Sequence, residues 1–529
     1  VFVGLTTYFE DFYYYLDQFY QGGHGNWLTE NRFSFEQYPP TLIYFNNIIF
    51  GKIGGMFGLE SFQSYNLFGI LLKSLFMLLA YGAIRYFFPT SLFKRIATYL
   101  IFLFSTGLPN VVLQNGGNFE YGHIDLFRTG NHIFSRFGTS ANDMFNNSIF
   151  VILCVVLVGF FIEELHWSQN FVSSSKTSDY FWMRFVKVLV FILPFFVLLT
   201  IGDLFKSIAL LGLMIILYLK YRIQKKSFYI YPHTLGLILI LIGVISLVSL
   251  YIVKTVNVDP VYEQAVKWDV YMYFNHIKGA GFVNYVKGFG LMMPLFFYGY
   301  WALLAKKQKS MLEESALILS AICVGGYIVP VVFRIPISGF RFMFSAFYIV
   351  IAVIIWYAIE ALSERFHKKQ MDVVLIVVYL AINIVSIVPQ LYKDYQPVKE
   401  PEFHFAYIPN DLYKGLVFLR TAEPRDAIIL GSPHTSIDLM IPGIAGRYTY
   451  SGHFLTTYNA KEKDILANKF YYDWIDQTNP QVFLRQNNIR FVIVTKYSAV
   501  LDRIRTYYSF LKPVFENSEV TIFRYDLGE

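Results

Sequence analysis

Apolar runs long enough to cross a bilayer recur through most of this chain, and they constrain it more than any other feature. A bilayer core calls for ~20 predominantly apolar residues per helix. Ten stretches qualify: 64–87, 93–108, 147–163, 183–201, 205–219, 234–253, 286–305, 313–333, 342–361 and 372–391. The pair flanking Gly202-Asp203 reads as a tight hairpin. Of the 529 residues, 55% are hydrophobic and 15% charged, against about a quarter charged in soluble domains. That balance excludes a disordered chain, a compact cytosolic enzyme and a disulfide-stapled module, the last because Cys154 and Cys323 both lie inside apolar runs. The fold class expected is an α-helical polytopic membrane protein with a small α/β domain at its C-terminal end.

The formal charge of +7 does not point to nucleic acid. Lys393–Glu529 carries 16 basic and 16 acidic residues, so the whole excess belongs to the part that precedes it. There, basic residues fall in every second connection: Lys94-Arg95; Lys176; Lys220, Arg222, Lys225 and Lys226; Lys306, Lys307 and Lys309; Arg365, Lys368 and Lys369. The positive-inside rule makes those connections cytoplasmic. Residues 1–60, the loops 109–146 and 254–285, the turn 334–341 and everything after Leu391 are then external. An external start at Val1 calls for an eleventh helix upstream, lost from the sequence or ending in the apolar Val1–Leu5.

After Tyr392 the composition changes. Pro397, Pro401 and Pro409 mark a linker over 393–409, which divides a transmembrane domain (1–392) from an external domain (410–529). In the latter, Leu412–Leu419 and 461–474 read as helices. Ala427–Leu430, Arg490–Thr495 and Val520–Arg524 read as strands. Residues 42–59 form an amphipathic stretch within the first external loop.

Glu10 and Asp11 stand at the start of that loop, in Phe9-Glu10-Asp11-Phe12-Tyr13-Tyr14-Tyr15-Leu16. A carboxylate half desolvated at the mouth of a membrane helix gains basicity and suits a general base. The same pair also fits a plain interfacial helix cap. Further along come Gln21-Gly22, Gly25-x-Trp27, Glu30, Glu36 and Pro39-Pro40, in a loop long enough to carry function.

The pattern Glu10-Asp11-x-x-Tyr14-Tyr15-Leu16, with Gln21-Gly22 and Gly25-x-Trp27, resembles the first external loop of GT-C integral-membrane glycosyltransferases. It is most similar to a bacterial group with many membrane helices and a small external C-terminal domain. The layout is also similar to that of the oligosaccharyltransferase catalytic subunit, the protein mannosyltransferases and the aminoarabinose transferases. The resemblance implies transfer of a sugar from a polyprenyl-phosphate carrier on the outer face of the cytoplasmic membrane, with Asp11 matching the catalytic acid and Glu10 its neighbour. It also implies a basic residue for the carrier phosphate in a late external loop, which favours Arg341.

The residues give that arginine independent interest. Arg334 and Arg341 flank the turn Ile335-Pro336-Ile337-Ser338-Gly339-Phe340, on the side where positive charge is disfavoured. A planar guanidinium matches phosphate; snorkelling to headgroups, or pairing with Glu120 or Asp125, is the other reading. The loop 109–146 holds Glu120, His123, Asp125, Arg128, His132, Arg136 and Asp143 without zincin spacing. No metal ligands are assigned, although the resemblance leaves a divalent metal open, and Glu120 or Asp125 is a candidate second acid. In the C-terminal part, Gly446-Arg447-Tyr448-Thr449-Tyr450-Ser451-Gly452-His453 offers donors and aromatic faces to sugar hydroxyls, with Arg447 and His453 as binding candidates. It fits equally a structural turn in which both residues satisfy neighbouring carbonyls.

The function expected is transfer, with inversion, from a polyprenyl-phosphate-linked sugar to a glycan, lipid or protein acceptor. Two alternatives are a flippase for lipid-linked saccharides, which calls for paired broken helices and charge at mid-membrane, and a non-catalytic membrane scaffold.

Overall fold

The computed structural model describes residues 1, 9–36, 38–113, 119–123, 136–138, 140–170, 175–224, 232–367, 370–394, 407–496 and 500–526. It divides into two compact units. One is assembled from Val1–Ile70, Val253–Trp268 and Pro397–Glu529; the other comprises Leu71–Ile252 and Asp269–Gln396.

Among the described residues, eight helices have the length and apolar composition to cross a membrane, and a ninth span is possible if one bent pair counts as one. They lie in α3 (Ser61–Phe87), α5 (Ala141–Asn170), α6 (Ser175–Gly202), α7 (Leu204–Gln224), α8 (Pro232–Val258), α11 (Met311–Phe333), α12 (Phe347–Phe366) and α13 (Met371–Asp394). The chain is a polytopic helical membrane protein. The hairpin at residue 203 forms as the sequence indicates, with Asp203 accepting from the Phe205 and Lys206 N–H groups at 3.1 and 3.2 Å.

Two of the ten expected spans take another form. In place of 93–108 stands α4 (Leu92–Phe104), only 13 residues long. Its C-terminal carbonyls, which lack intrahelical partners, are taken up by the buried Arg136, whose Nη2 donates to Ser105 O at 2.5 Å and whose Nη1 donates to Phe102 O. The chain continues extended through Gly107, against which the backbone of Gly288 packs too closely for a Cβ. In place of a straight 286–305, Gly281–Phe289 and α10 (Met292–Ala305) meet at 78°. The bend follows from Gly290, whose φ of +54° is a left-handed value that glycine adopts at little cost. Further up, α9 (Pro260–Phe289) is itself interrupted at Gly281. The loop after α4 opens with a hairpin that hydropathy did not indicate, β1 (Pro109–Leu113) antiparallel to β2 (Phe119–His123).

The first unit is built around a four-stranded sheet of order β3-β4-β6-β5. β3 (Ile428–Leu430) runs parallel to β4 (Ile489–Thr495); β6 (Val520–Arg524) is antiparallel to β4 and to β5 (Lys512–Glu516). The period of two along β4 sends Val492 and Val494 to one face, with Phe470, Tyr471, Ile504 and Tyr508. Phe491 and Ile493 go to the other, where they join Leu416, Leu419, Ile441 and, from the opposite end of the sequence, Phe12, Tyr13 and Leu16. Those last three belong to α1 (Phe9–Gly23), a helix buried on nearly every side.

Pairing α1 with α2 (Phe45–Met56) requires glycine. A Cβ on Gly51 would sit 2.2 Å from Phe19 O, and one on Gly22 would sit 2.1 Å from Ile48 O. The backbones cross at a separation that no side chain permits. In the same unit, the segment 448–450 is strapped to the edge of β3 by Ile429 N–H to Tyr448 O and Tyr450 N–H to Ile429 O, both 3.0 Å. Thr449 N–H donates to Arg32 O at 3.0 Å, which fixes the first loop to the same strand.

Candidate functional site

Asp11 sits in the first turn of α1, and the strapped segment delivers His453 to it: Nε2 lies 3.2 Å from Asp11 Oδ1. The Leu455 N–H donates to His453 Nδ1 at 3.3 Å, so the ring proton resides on Nε2 and points to the carboxylate. The imidazole is held between Tyr14, Phe33 and Phe454, with centroids 5.5, 6.3 and 5.2 Å away. Trp268 packs edge-on against Phe454, and Gln264 Nε2 donates to Phe454 O at 3.2 Å. The His453 side chain is 2% exposed and that of Asp11 34%. The histidine is thus placed to hold the carboxylate, and the carboxylate is the member that a substrate can reach.

Glu10 is half-buried, and burial raises its carboxyl above the usual range; His453 opposes that rise and the neighbouring Asp11 charge adds to it. Two further acids, missed at the level of sequence because they lie over 400 residues away, share this environment. Asp438 is raised well above its ordinary value by burial and then by the charges of Asp464 and Glu10, and Asp464 is raised by burial against a hydrogen bond with Ser451 that lowers it.

Asp17, two turns along α1, belongs to the structure and not to the chemistry. It is buried, accepts from Gln21 Nε2 at 2.8 Å and lies 3.8 Å from Arg32. Burial pushes its carboxyl up to about 7 despite Arg32 and Gln21, which lower it. Because the folded form then holds the proton more tightly than the unfolded chain, stability is full below about pH 4 and declines as pH rises toward 7. Asp17→Asn keeps the shape and should remove that decline. Its thermal midpoint in detergent should exceed the parent's at pH 8 and match it at pH 4.5; an equal difference at both values would refute the assignment.

The other expected residues are distributed as follows. Arg447 is buried and its guanidinium donates to the carbonyls of Ala422, Pro424 (2.9 Å) and Arg425. This is a clamp on the turn before β3, the arrangement that the structural-turn reading describes. In the membrane unit, Arg341 lies in a short 3₁₀ turn (Gly339–Phe342), with Nε 3.4 Å from Asp269 Oδ2. Its side chain remains 41% exposed. Arg334 is exposed and ends α11 in a left-handed conformation, its N–H on Pro330 O. Glu120 lies on β2 opposite Val112, and Asp125 falls outside the described residues. In the same unit, a cavity of about 290 Å³ is lined by Tyr285, Phe289, Met292, Tyr327, Met343 and Phe347, among other apolar residues. Among the described residues no three His, Cys, Asp or Glu side chains gather to hold a metal ion. The donors near Asp11 therefore do not make a metal site by themselves.

No protein-family profile matches the chain, and no curated protein matches it in sequence. Solved structures do match. The Archaeoglobus fulgidus oligosaccharyltransferase in its apo form aligns with 94% of this chain and 67% of its own, at 12% identity and a TM-score of 0.51. The same enzyme tethered to an acceptor peptide with the NVT sequon covers 96% of this chain and 67% of its own at 13% identity, again with a TM-score of 0.51. A third structure, of oligosaccharyltransferase AglB with an inhibitory peptide and a dolichol-phosphate, gives 96%, 68%, 13% and 0.51. From the first loop to the C-terminal sheet, the chain has the fold of a membrane oligosaccharyltransferase, the architecture that the resemblance of its first loop implies.

Proposed function

We propose that the protein is a membrane glycosyltransferase that moves a sugar from a polyprenyl-phosphate carrier to an acceptor hydroxyl or amide. The observation that carries this reading is the Asp11–His453 pair: one partly exposed carboxylate, oriented by a buried imidazole, on the first loop of a chain with an oligosaccharyltransferase fold. The likeness to a protein solved with a dolichol-phosphate supports a lipid-linked donor.

Asp11 takes the acceptor's proton as the acceptor atom attacks the anomeric carbon. The bond from that carbon to the carrier phosphate breaks with inversion, and its electron pair leaves on the phosphate oxygen. Arg341, with Arg334, binds the phosphate and stabilises the charge it gains. His453 contributes by holding Asp11 in one orientation through its Nε2–H. Placement of the C-terminal domain outside the cytoplasmic membrane belongs to the same reading, since nucleotide sugars are not supplied there. The flippase alternative calls for broken helices in pairs, and a single bent pair is found among the described residues.

The test is direct. Purified protein in nanodiscs is given a panel of short-chain polyprenyl-phosphate hexoses with peptide and glycan acceptors, and release of polyprenyl phosphate is measured. The parent should release it with at least one donor. His453→Gln should retain binding while losing about 10- to 100-fold in rate, the worth of one hydrogen bond to a charged group at about 1.5–3 kcal/mol. Release that is indifferent to His453, or transbilayer movement of the lipid without release, would sink the reading.

A further inference from the structure

Where the first loop leads into α3, the structure exposes large apolar side chains that its core does not use. Met56 is 82% exposed, Phe57 77% and Trp27 64%, with Ile53 and Leu28 also exposed. They form one surface. Ile53, Met56 and Phe57 follow the i, i+3, i+4 spacing that puts side chains on one side of the end of α2. Lys52 brings the turn 23–28 to the same place: its ammonium lies 4.2 Å over the Trp27 ring and donates to Gly25 O at 2.9 Å. In water such a cluster is a liability, since contiguous exposed apolar patches are seldom left without a partner.

Its position says what the partner is. Phe57 precedes Ser61, the first residue of a membrane-crossing helix, by four residues, a reach of at most about 14 Å even if extended. The chain is less extended than that. Gly54 packs so closely on the first turn of α3 that a Cβ there would sit 2.0 Å from Ser64 Oγ. The patch therefore lies beside the point where α3 enters the bilayer. Its composition fits that level: a tryptophan ring under a lysine ammonium, flanked by Phe, Met, Leu and Ile, gives an apolar body for the acyl boundary and a cation for the headgroups.

We propose that the surface Trp27–Leu28–Ile53–Met56–Phe57, rimmed by Lys52, docks into the lipid interface of the leaflet at which α3 begins. It sets the depth of the first loop, and thereby of α1, against the membrane surface. The inference does not depend on the glycosyltransferase reading, because it draws on exposure and on the membrane helix alone.

Nitroxide labels at Trp27→Cys, Met56→Cys and Phe57→Cys, each in the full chain with Cys154 and Cys323 replaced by Ala, test it in nanodiscs of phosphatidylcholine and phosphatidylglycerol. Leu78→Cys on the outer surface of α3 and Ile475→Cys in the C-terminal part serve as lipid and water references, both native residues being exposed. Collisional relaxation by oxygen relative to a water-soluble nickel chelate should be several-fold higher at 27, 56 and 57 than at 475, and closer to that at 78. Ratios equal to that at 475 would place the patch in water and overturn the proposal. So would low accessibility to both reagents, with spin–spin broadening that grows with protein concentration, since that would make the occupant a second copy of the chain.

Discussion

Asp11→Asn should reduce sugar transfer by about 10²- to 10⁴-fold, the usual contribution of a general base, and leave donor affinity within about twofold. An amide fills the same space and can still accept the His453 Nε2–H, so the geometry at the head of α1 survives while the proton acceptor is lost. The measurement is single-turnover transfer alongside equilibrium binding of a polyprenyl-phosphate hexose. Equal losses in rate and affinity would mean that the variant disturbed the donor site, and an unchanged rate would leave Asp11 as a helix cap. Glu10→Gln should cost much less, because burial already disfavours ionisation of that carboxyl.

Arg341→Ala should weaken binding of polyprenyl phosphate by roughly tenfold to a hundredfold, from the loss of a charge-assisted contact of about 1.5–3 kcal/mol. Arg341→Lys keeps the charge and loses the planar fork, so its loss should be smaller. Asp269, 3.4 Å from Nε, supplies the discriminating control. If the arginine serves the phosphate, Asp269→Asn removes a competing anion and affinity holds or rises. If it serves only to satisfy Asp269, both Ala and Lys variants will bind polyprenyl phosphate like the parent and show a lower thermal midpoint instead.

What the sequence disclosed about the fold follows from which signals are local. Membrane helices such as 234–253 announce themselves because every residue contributes to one average, and β4 and β6 because β-branched and aromatic residues crowd into them. β5 escaped notice: Lys512-Pro513-Val514-Phe515-Glu516 is an edge strand, largely exposed, with a proline and two charges that suit an edge and blur the pattern. The short α4 and the bend before α10 were hidden for another reason. Ser105–Leu108 and Gly288–Leu291 are apolar or small enough to pass as helix, and the packing of Gly107 on Gly288 has no one-dimensional signature.

The site divides in the same way. Asp11 drew attention as a candidate because an acid pair beside an apolar segment is unusual in itself. His453 was noticed only as part of a glycine-punctuated run and assigned to substrate, since nothing in the sequence places it beside a residue 442 positions earlier. Arg447, in the same run, carried an equal signal and turned out to clamp three carbonyls. Donor-rich turns advertise that polar groups will be used, and the fold decides for what.

The unit that holds Asp11 is gathered from three separated stretches, residues 1–70, 253–268 and 397–529. On the ribosome these arrive in order and far apart in time. Helix α1 emerges before the strands that cover it and before the histidine beside Asp11, and α13 is synthesised in between. Contacts of such long sequence separation form late. A chain cut short of residue 453 therefore carries the acid without its imidazole partner, and the pair exists only once segments 442 positions apart have met.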